Sequence, residues 1–275
     1  MSQMMIQAAV TMGQLQNKLD NISHNMANSQ TTGYKSRQSE FSSLLFREIN
    51  NLSAPENAEG RLTPDAIRTG TGARLGGVHL DLAEGSIQET DRALDVALLD
   101  KDHLFQVQTT VDGREEVRYT RDGAFYLSPV NDNTSLLVNG EGDPILGTNG
   151  PIQVPANLDD VNINDSGQVI GIQNGEEQVL GQLAIVKAER PRLLEAAGDN
   201  MFRLPDEANV EAADVFTPVA NAGNTKVLET SALEQSNVDL SEQMTDMVNA
   251  QRSYEFNART LTMGDQMNGL INQLR

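Results

Sequence analysis

Catalysis has little to draw on in this chain. Its only imidazoles are His24, His79 and His103, and it has no cysteine, which removes thiol nucleophiles, thiolate metal sites and disulfides. His24 falls in a segment of helical pattern but outside its apolar stripe, where a surface or capping role is expected. His79 and His103 have no neighbours at metal-ligand spacing. Gly70, Gly72, Gly76 and Gly77 depart from the dinucleotide spacing, and no Lys-Ser/Thr pair follows as a phosphate loop requires. They read as a bend before a β region. Asp159–Gly167 has the look of a calcium loop, but Asp165 stands where that loop needs its glycine, so a hairpin is expected. Carboxylates are abundant, and no pair stands out as an acid/base couple. No enzyme, cofactor or metal site is expected.

The charge balance points away from some partners. With 39 acidic and 20 basic residues, the formal charge is −19. Phosphate backbones and anionic lipids repel such a surface, so nucleic acid is not expected as a partner. No apolar run reaches the ~20 residues that span a bilayer, so membrane insertion is not expected. The N-terminus lacks the pattern of a cleavable secretory signal. Hydrophobic residues make up 38% and aromatics 4%, which suits an elongated molecule with an aliphatic core.

The elements begin with a stripe. Met1, Met5, Ala8, Met12, Leu15, Leu19, Ile22 and Met26 alternate spacings of four and three, the heptad pattern of a helix with a narrow apolar seam. At the other end, Asp239 and Glu242 have the spacing of a capping box. Leu240, Met244, Met247, Tyr254, Ala258 and Leu261 then form a seam interrupted by Gln251. After Leu261 the phase shifts to Met263, Met267, Leu270 and Leu274.

Residues 36–50 are moderately apolar and read as helical or irregular, and 50–74 reads as a flexible or extended connection. Residues 80–219 read as all-β. Short apolar runs alternate with Asp112-Gly113, Asp122-Gly123, Asn139-Gly140, Asn149-Gly150 and Asn174-Gly175, dipeptides suited to hairpin turns. Phe105–Val107 is expected to pair with Val117–Tyr119, and Val161–Ile163 with Val169–Ile172. The expected fold is α+β: long N- and C-terminal helices packing as a coiled coil, with an all-β domain inserted between them. The expected domains are 1–35 (helix and terminating motif), 36–79 (connection), 80–219 (β domain) and 220–275 (linker and helix).

Two motifs carry a resemblance. Ala27-Asn28-Ser29-Gln30-Thr31-Thr32-Gly33-Tyr34-Lys35 resembles the signature that ends the N-terminal helix of bacterial flagellar rod and hook proteins. Physically, Asn28 suits a left-handed helix end and Gly33 a second sharp turn. Leu233-Glu234-Gln235-Ser236-Asn237-Val238-Asp239-Leu240, followed by Gln251-Arg252-Ser253-Tyr254, resembles the signature that opens the C-terminal helix in the same family. Thr69–Val78, Glu84–Thr90, Leu94–Ala97, Tyr119–Phe125 and Gly181–Phe202 also follow the family's order, so the resemblance extends over nearly the full length. It departs at Leu99–Phe105, which lacks the family's usual glycines.

The resemblance implies a structural axial protein of the flagellar basal body, exported unfolded by the flagellar type III apparatus to an extracytoplasmic site. Its implied partners are copies of itself and other rod or hook proteins, joined by heterologous contacts into an open helical tube. The expected assembly seam comprises Met5, Met12, Leu15, Leu19, Ile22, Met26, Leu240, Met244, Met247, Tyr254, Leu261, Met267, Leu270 and Leu274. Length and a single small β region favour a rod subunit over the larger hook protein. A β-rich adhesive or carbohydrate-binding module with helical oligomerisation ends is the rival class, and the absence of Trp with only four Tyr weighs against it.

Overall fold

The computed structural model describes residues 3–43, 46–49, 67–70, 73–111, 113–205, 212–219 and 226–273. They fall into two bodies, one drawn from residues 1–26, 37–79 and 240–275, the other from residues 27–36 and 80–239.

In the first body, the stripe of small and aliphatic residues forms the helix Gln3–Ala27. Met5, Ala8, Leu15 and Ile22 are buried, while Met12, Leu19 and Met26 are half-buried. The helix Leu240–Gln273 starts directly after Asp239, the residue expected to cap it. It extends about 51 Å at 1.5 Å per residue. The two helices run antiparallel along one another. Asn25 Nδ2 donates to Gln243 Oε1 at 3.2 Å, Lys18 pairs with Asp246 at 3.3 Å, and Asn268 Nδ2 reaches Met5 Sδ at 3.6 Å.

This pairing is not the expected coiled coil. Knobs-into-holes packing needs an apolar seam on both helices. The less exposed stripe of the C-terminal helix runs through Gln243, Met247, Ala250, Tyr254, Asn257, Leu261 and Gly264, and is largely small or polar. Leu240, Met244, Met267 and Leu270 of the expected seam are exposed instead. The expected seam is met in part: Met247, Tyr254, Ala258 and Leu261 lie on the less exposed side, while a second set of apolar residues on the same helix faces outward. The observed fold is therefore one helix at each end of the sequence with a large β-rich region between, mostly strands.

Residues 36–50, read as helical or irregular, hold strands. Arg37–Ser43 pairs with Ala73–Leu80, and Phe46–Ile49 pairs antiparallel with Ile67–Gly70. Gly76 and Gly77 lie inside the strand Ala73–Leu80 and make no bend. A Cβ at Gly76 would stand 3.0 Å from the Glu40 carbonyl oxygen, so glycine there permits close strand approach. Most of the connection 50–74 lies outside the described residues, as does Leu274.

The second body is built on a six-stranded antiparallel sheet. Its order is Glu195–Gly198, Met201–Arg203, Arg114–Thr120, His103–Val111, Ile185–Ala188 and Phe216–Pro218. The strand His103–Val111 is central and buried on both faces. Phe105 and Val107 enter one core with Phe125, Leu137, Ile145 and Leu228. Leu104 enters a second core with Tyr119, Val186, Phe202 and Phe216. The aromatics set these cores: Phe125 meets Phe105 edge-on at 5.2 Å, and Tyr119 stacks on Phe216 at 3.9 Å.

Both expected hairpins form, with Gln106 opposite Tyr119 and Ile163 opposite Val169. The turn within Asp159–Gly167 is closed by Asn164, whose Oδ1 accepts from the backbone N–H groups of Ser166 and Gln168. Asp122-Gly123 is not a hairpin turn. There the backbone lies flat against Val96, whose N–H donates to the Gly123 carbonyl.

The two cores and the exposed helix positions should respond differently to truncation. Phe125→Ala should lower the unfolding free energy of the free subunit by about 3–5 kcal/mol. Leu270→Ala, at a residue 61% exposed, should change it by less than about 0.5 kcal/mol. Urea denaturation followed by circular dichroism measures both.

Candidate functional site

The β body is closed by two strands from the C-terminal side. Leu228–Thr230 pairs with Val96–Leu98, and Ala232–Glu234 pairs with Ile87–Glu89. Ser231 between them takes a left-handed conformation, φ 52°, which turns the backbone from one partner strand to the other. This path carries Glu234 into the interior, 3% exposed.

Glu234 meets two cations there. Its Oε1 accepts from Lys35 Nζ at 2.7 Å and from the Gly85 N–H at 2.9 Å. Its Oε2 accepts from Arg121 Nε at 2.8 Å, with Arg121 Nη2 at 2.7 Å. Arg121 spends its remaining donors on the carbonyls of Asp100, His103 and Leu98, so its whole guanidinium fork is used. Lys35 Nζ also donates to the Ala83 carbonyl at 2.6 Å. All three side chains are at most 2% exposed.

The electrostatics follow from one carboxylate shared by two cations. Burial pushes the Glu234 carboxyl up, but Arg121 and Lys35 outweigh it and hold it below the usual carboxylate range. Lys35 is pushed down, first by burial and then by the neighbouring guanidinium. The half-buried Asp122 carboxyl is pushed up by partial loss of solvent, although Thr32 Oγ1 donates to it at 2.9 Å.

Backbone contacts around this cluster join the same segments. The Gly33 N–H donates to the Glu234 carbonyl at 2.7 Å. Gly33 has φ 64°, and a Cβ there would stand 2.6 Å from the Asp122 nitrogen, so only glycine fits. The Asn237 side chain donates to the carbonyls of Asp81 and Ala83 and accepts from the Ser36 N–H at 2.8 Å. In the first body, Asn25 does likewise, donating to the Arg37 carbonyl and accepting from its N–H at 2.9 Å.

The residues singled out in the sequence fall into three groups. Gly33, Tyr34, Lys35, Glu234 and Asn237 converge here, with Tyr34 buried and its carbonyl accepting from the Asn237 N–H. Ala27 ends the N-terminal helix, Asn28 and Thr31 lie in the turns after it, Leu233 lies within the strand Ala232–Glu234, and Ser236 and Val238 follow that strand. Asn28 closes a local turn, its carbonyl accepting from the Thr31 N–H, and its φ is not positive. Its role is therefore not the left-handed helix end expected. Gln251 and Arg252 are exposed on the C-terminal helix. Sequence reasoning missed Arg121, Asp122, Asn237's partner Asp81 and Asn25. The available signal was an Arg-Asp pair inside the otherwise turn-like YTRDGAF segment, since charges bracketed by buried aromatics need partners.

These features define a class: a helix-ended β protein in which motifs from both ends of the sequence meet inside one β body. Residues 99–171 match the flagellar hook protein FlgE/F/G D1 domain, and residues 229–274 match the flagellar basal body rod FlgEFG protein C-terminal region. The first match contains Arg121 and the second Glu234. The chain is 38% identical to the flagellar hook-basal body complex protein FlhP of Bacillus subtilis (strain 168), spanning 98% of each. It is 33% identical to the flagellar basal-body rod protein FlgG of the same organism, over 93% of its own length and 92% of FlgG. It is 32% identical to FlgG of Buchnera aphidicola subsp. Acyrthosiphon pisum, over 92% of each. The chain belongs to the flagellar rod and hook protein family.

The ionic cluster generates a stability prediction with a defined sign. The depressed Glu234 carboxyl contributes stability that is fully present above the unfolded carboxylate range and is lost as pH falls through the lower folded value. The raised Asp122 carboxyl works in the opposite sense, favouring the fold as pH falls. Glu234→Gln leaves two buried cations without their anion and should lower stability at neutral pH by about 3–5 kcal/mol. It should also flatten the acid limb of the stability curve, whereas Asp122→Asn should steepen it. Thermal unfolding across acid pH checks both slopes.

Proposed function

We propose that this protein is a structural subunit of the flagellar basal-body rod. Copies of it, with other rod or hook proteins, build the axial tube that transmits torque from motor to hook. The observation that carries this reading is similarity over nearly the full length to FlgG and FlhP. The rod assignment, over the hook, rests on the FlgG relatives. Basal bodies from cells lacking the gene should end within the rod under electron microscopy. A complete rod with a missing or shortened hook would overturn the rod assignment.

The assembly surface in this reading is the outward side of the C-terminal helix. Leu240, Met244, Met267 and Leu270 are exposed, together with Phe256, Met263 and Ile271. A free subunit that leaves so many apolar side chains in water gains from covering them, and in a rod the neighbouring copies do so. The buried residues of the N-terminal stripe act within the subunit, as support for this surface. Unfolded entry into the flagellar type III export apparatus completes the reading, and is consistent with a sequence free of cysteine.

The two sets of seam residues should separate in a mutant test. Phe256→Glu combined with Leu270→Glu should leave the melting temperature of the secreted subunit unchanged, yet abolish incorporation and motility. Ile22→Asp, at a residue 4% exposed, should lower the melting temperature of its own body as well, because a charge is forced into an apolar seam. Secreted levels measured alongside distinguish assembly from export. Normal motility of the double variant would show that the outward face is not an assembly surface.

A further inference from the structure

Three Asn-Gly dipeptides occur in the β body, and their chemical environments differ sharply. We propose that Asn174 is a site of spontaneous deamidation in the folded subunit, and that the fold protects Asn139 and Asn149. In this reaction the backbone nitrogen of the following glycine, its proton passing to water, attacks the asparagine Cγ. The bond from Cγ to the amide nitrogen breaks and ammonia leaves, giving a five-membered succinimide. Water then adds to either ring carbonyl and opens the ring to aspartate or isoaspartate. The net change is amide plus water to carboxylate plus ammonium, with no oxidant or reductant.

The reaction needs a glycine nitrogen that is unused, a side-chain amide that is unheld and space for the ring. Asn174-Gly175 meets all three. The two residues form the tip of the hairpin between Gln168–Gln173 and Glu176–Gln182, with Gln173 opposite Glu176. Their φ values of 54° and 82° are those of a two-residue turn with both central residues left-handed. In such a turn the N–H of the fourth residue closes the loop, and that of the third is unused. Gly175 occupies the third position. Both residues are exposed, and a Cβ at Gly175 would meet open space. The Asn174 backbone N–H is held by Asp159 Oδ2 at 2.8 Å, while its side-chain amide has no partner among the described residues.

The other two lack one requirement each. Gly150 pairs with Gly147 across the turn at Thr148-Asn149. It is the fourth residue of that turn, so its N–H is the one that closes the loop. Asn139 is 7% exposed, and its Oδ1 accepts from the N–H groups of Glu141 and Asp143 at 3.0 and 2.8 Å. Its amide carbon is fixed away from attack. Deamidation at Asn174 places a new carboxylate beside Asp159, Glu176 and Glu177, and the isoaspartate product adds a methylene to the backbone of a turn that fits only two residues. The chemistry therefore loosens the tip of an edge hairpin without touching either core.

The test is incubation of the purified full-length subunit at mildly alkaline pH, followed by peptide mapping with mass spectrometry. Isoaspartate is confirmed by isoaspartyl methyltransferase labelling. The expected result is on the order of tenfold more conversion at Asn174 than at Asn139 or Asn149, because a protected turn must open before it reacts. In urea the three sites should convert at similar rates. Equal rates at the three sites in the folded protein would overturn the proposal, as would Asn139 or Asn149 reacting first. The same ranking in urea would show that local sequence, and not the fold, sets the order.

Discussion

The carboxylate of Glu234 has to satisfy two buried cations, and much of the β body is arranged around that constraint. Lys35 arrives from the segment after the N-terminal helix, Arg121 from the end of a central strand, and Glu234 from the last strand of the body. None can be buried alone, since an isolated charge in an apolar interior carries a desolvation penalty of several kcal/mol. Each ion therefore requires the other two to be in place. The constraint reaches further than the ions, because the free donors of Arg121 and Lys35 fix the carbonyls of Leu98, Ala83, Asp100 and His103. A loop that supplies a carbonyl to a buried cation cannot drift without exposing that cation.

This arrangement also explains why an ionic cluster stands where an apolar contact would be less demanding. Hydrophobic packing is non-directional and tolerates repacking, whereas a carboxylate with four donors around it admits one geometry. The segments meeting here lie almost 200 residues apart in sequence, as the separation of 199 between Lys35 and Glu234 shows. A directional contact selects the correct pairing of such distant segments. The amides of Asn237 and Asn25 work on the same principle in their own bodies. Each uses its donor and acceptor groups together to hold a backbone segment in one register.

Sequence reasoning reached these features unevenly, for physical reasons. Hairpins were legible because their information is local: alternation and a turn dipeptide specify Val161–Ile163 against Val169–Ile172 within a dozen residues. The N-terminal stripe was legible because Met5, Ala8, Leu15 and Ile22 have one face to bury and one phase. The C-terminal helix was legible only in part: Met247, Tyr254 and Leu261 turn to the less exposed side, but the helix has apolar residues in more than one phase, and periodicity cannot say which set faces inward. The end motifs were recognised as a signature, and Lys35 and Glu234 were named within it, but their meeting at Arg121 is a long-range fact that no spacing rule encodes. Asp122-Gly123 failed as a turn for the same reason, since its conformation is set by Val96, which precedes it and pairs with it through the Gly123 carbonyl.

The two kinds of surface in this protein have opposite demands, and the sequence keeps them apart. The β body must be complete within one subunit, so its charges are paired internally and its cores are closed. The outward side of the C-terminal helix holds Phe256 at 71% exposure and Ile271 at 63%, apolar side chains that would gain from being covered. A net charge of −19 opposes premature association of such faces through long-range repulsion, which salt screens beyond about 10 Å at 0.1 M ionic strength. In the assembly proposed above, short-range apolar contact becomes decisive only when a growing end holds two subunits in register. In the proposed assembly, acidity and an exposed apolar helix act together: the first opposes association of free subunits, and the second rewards only the correctly seated copy.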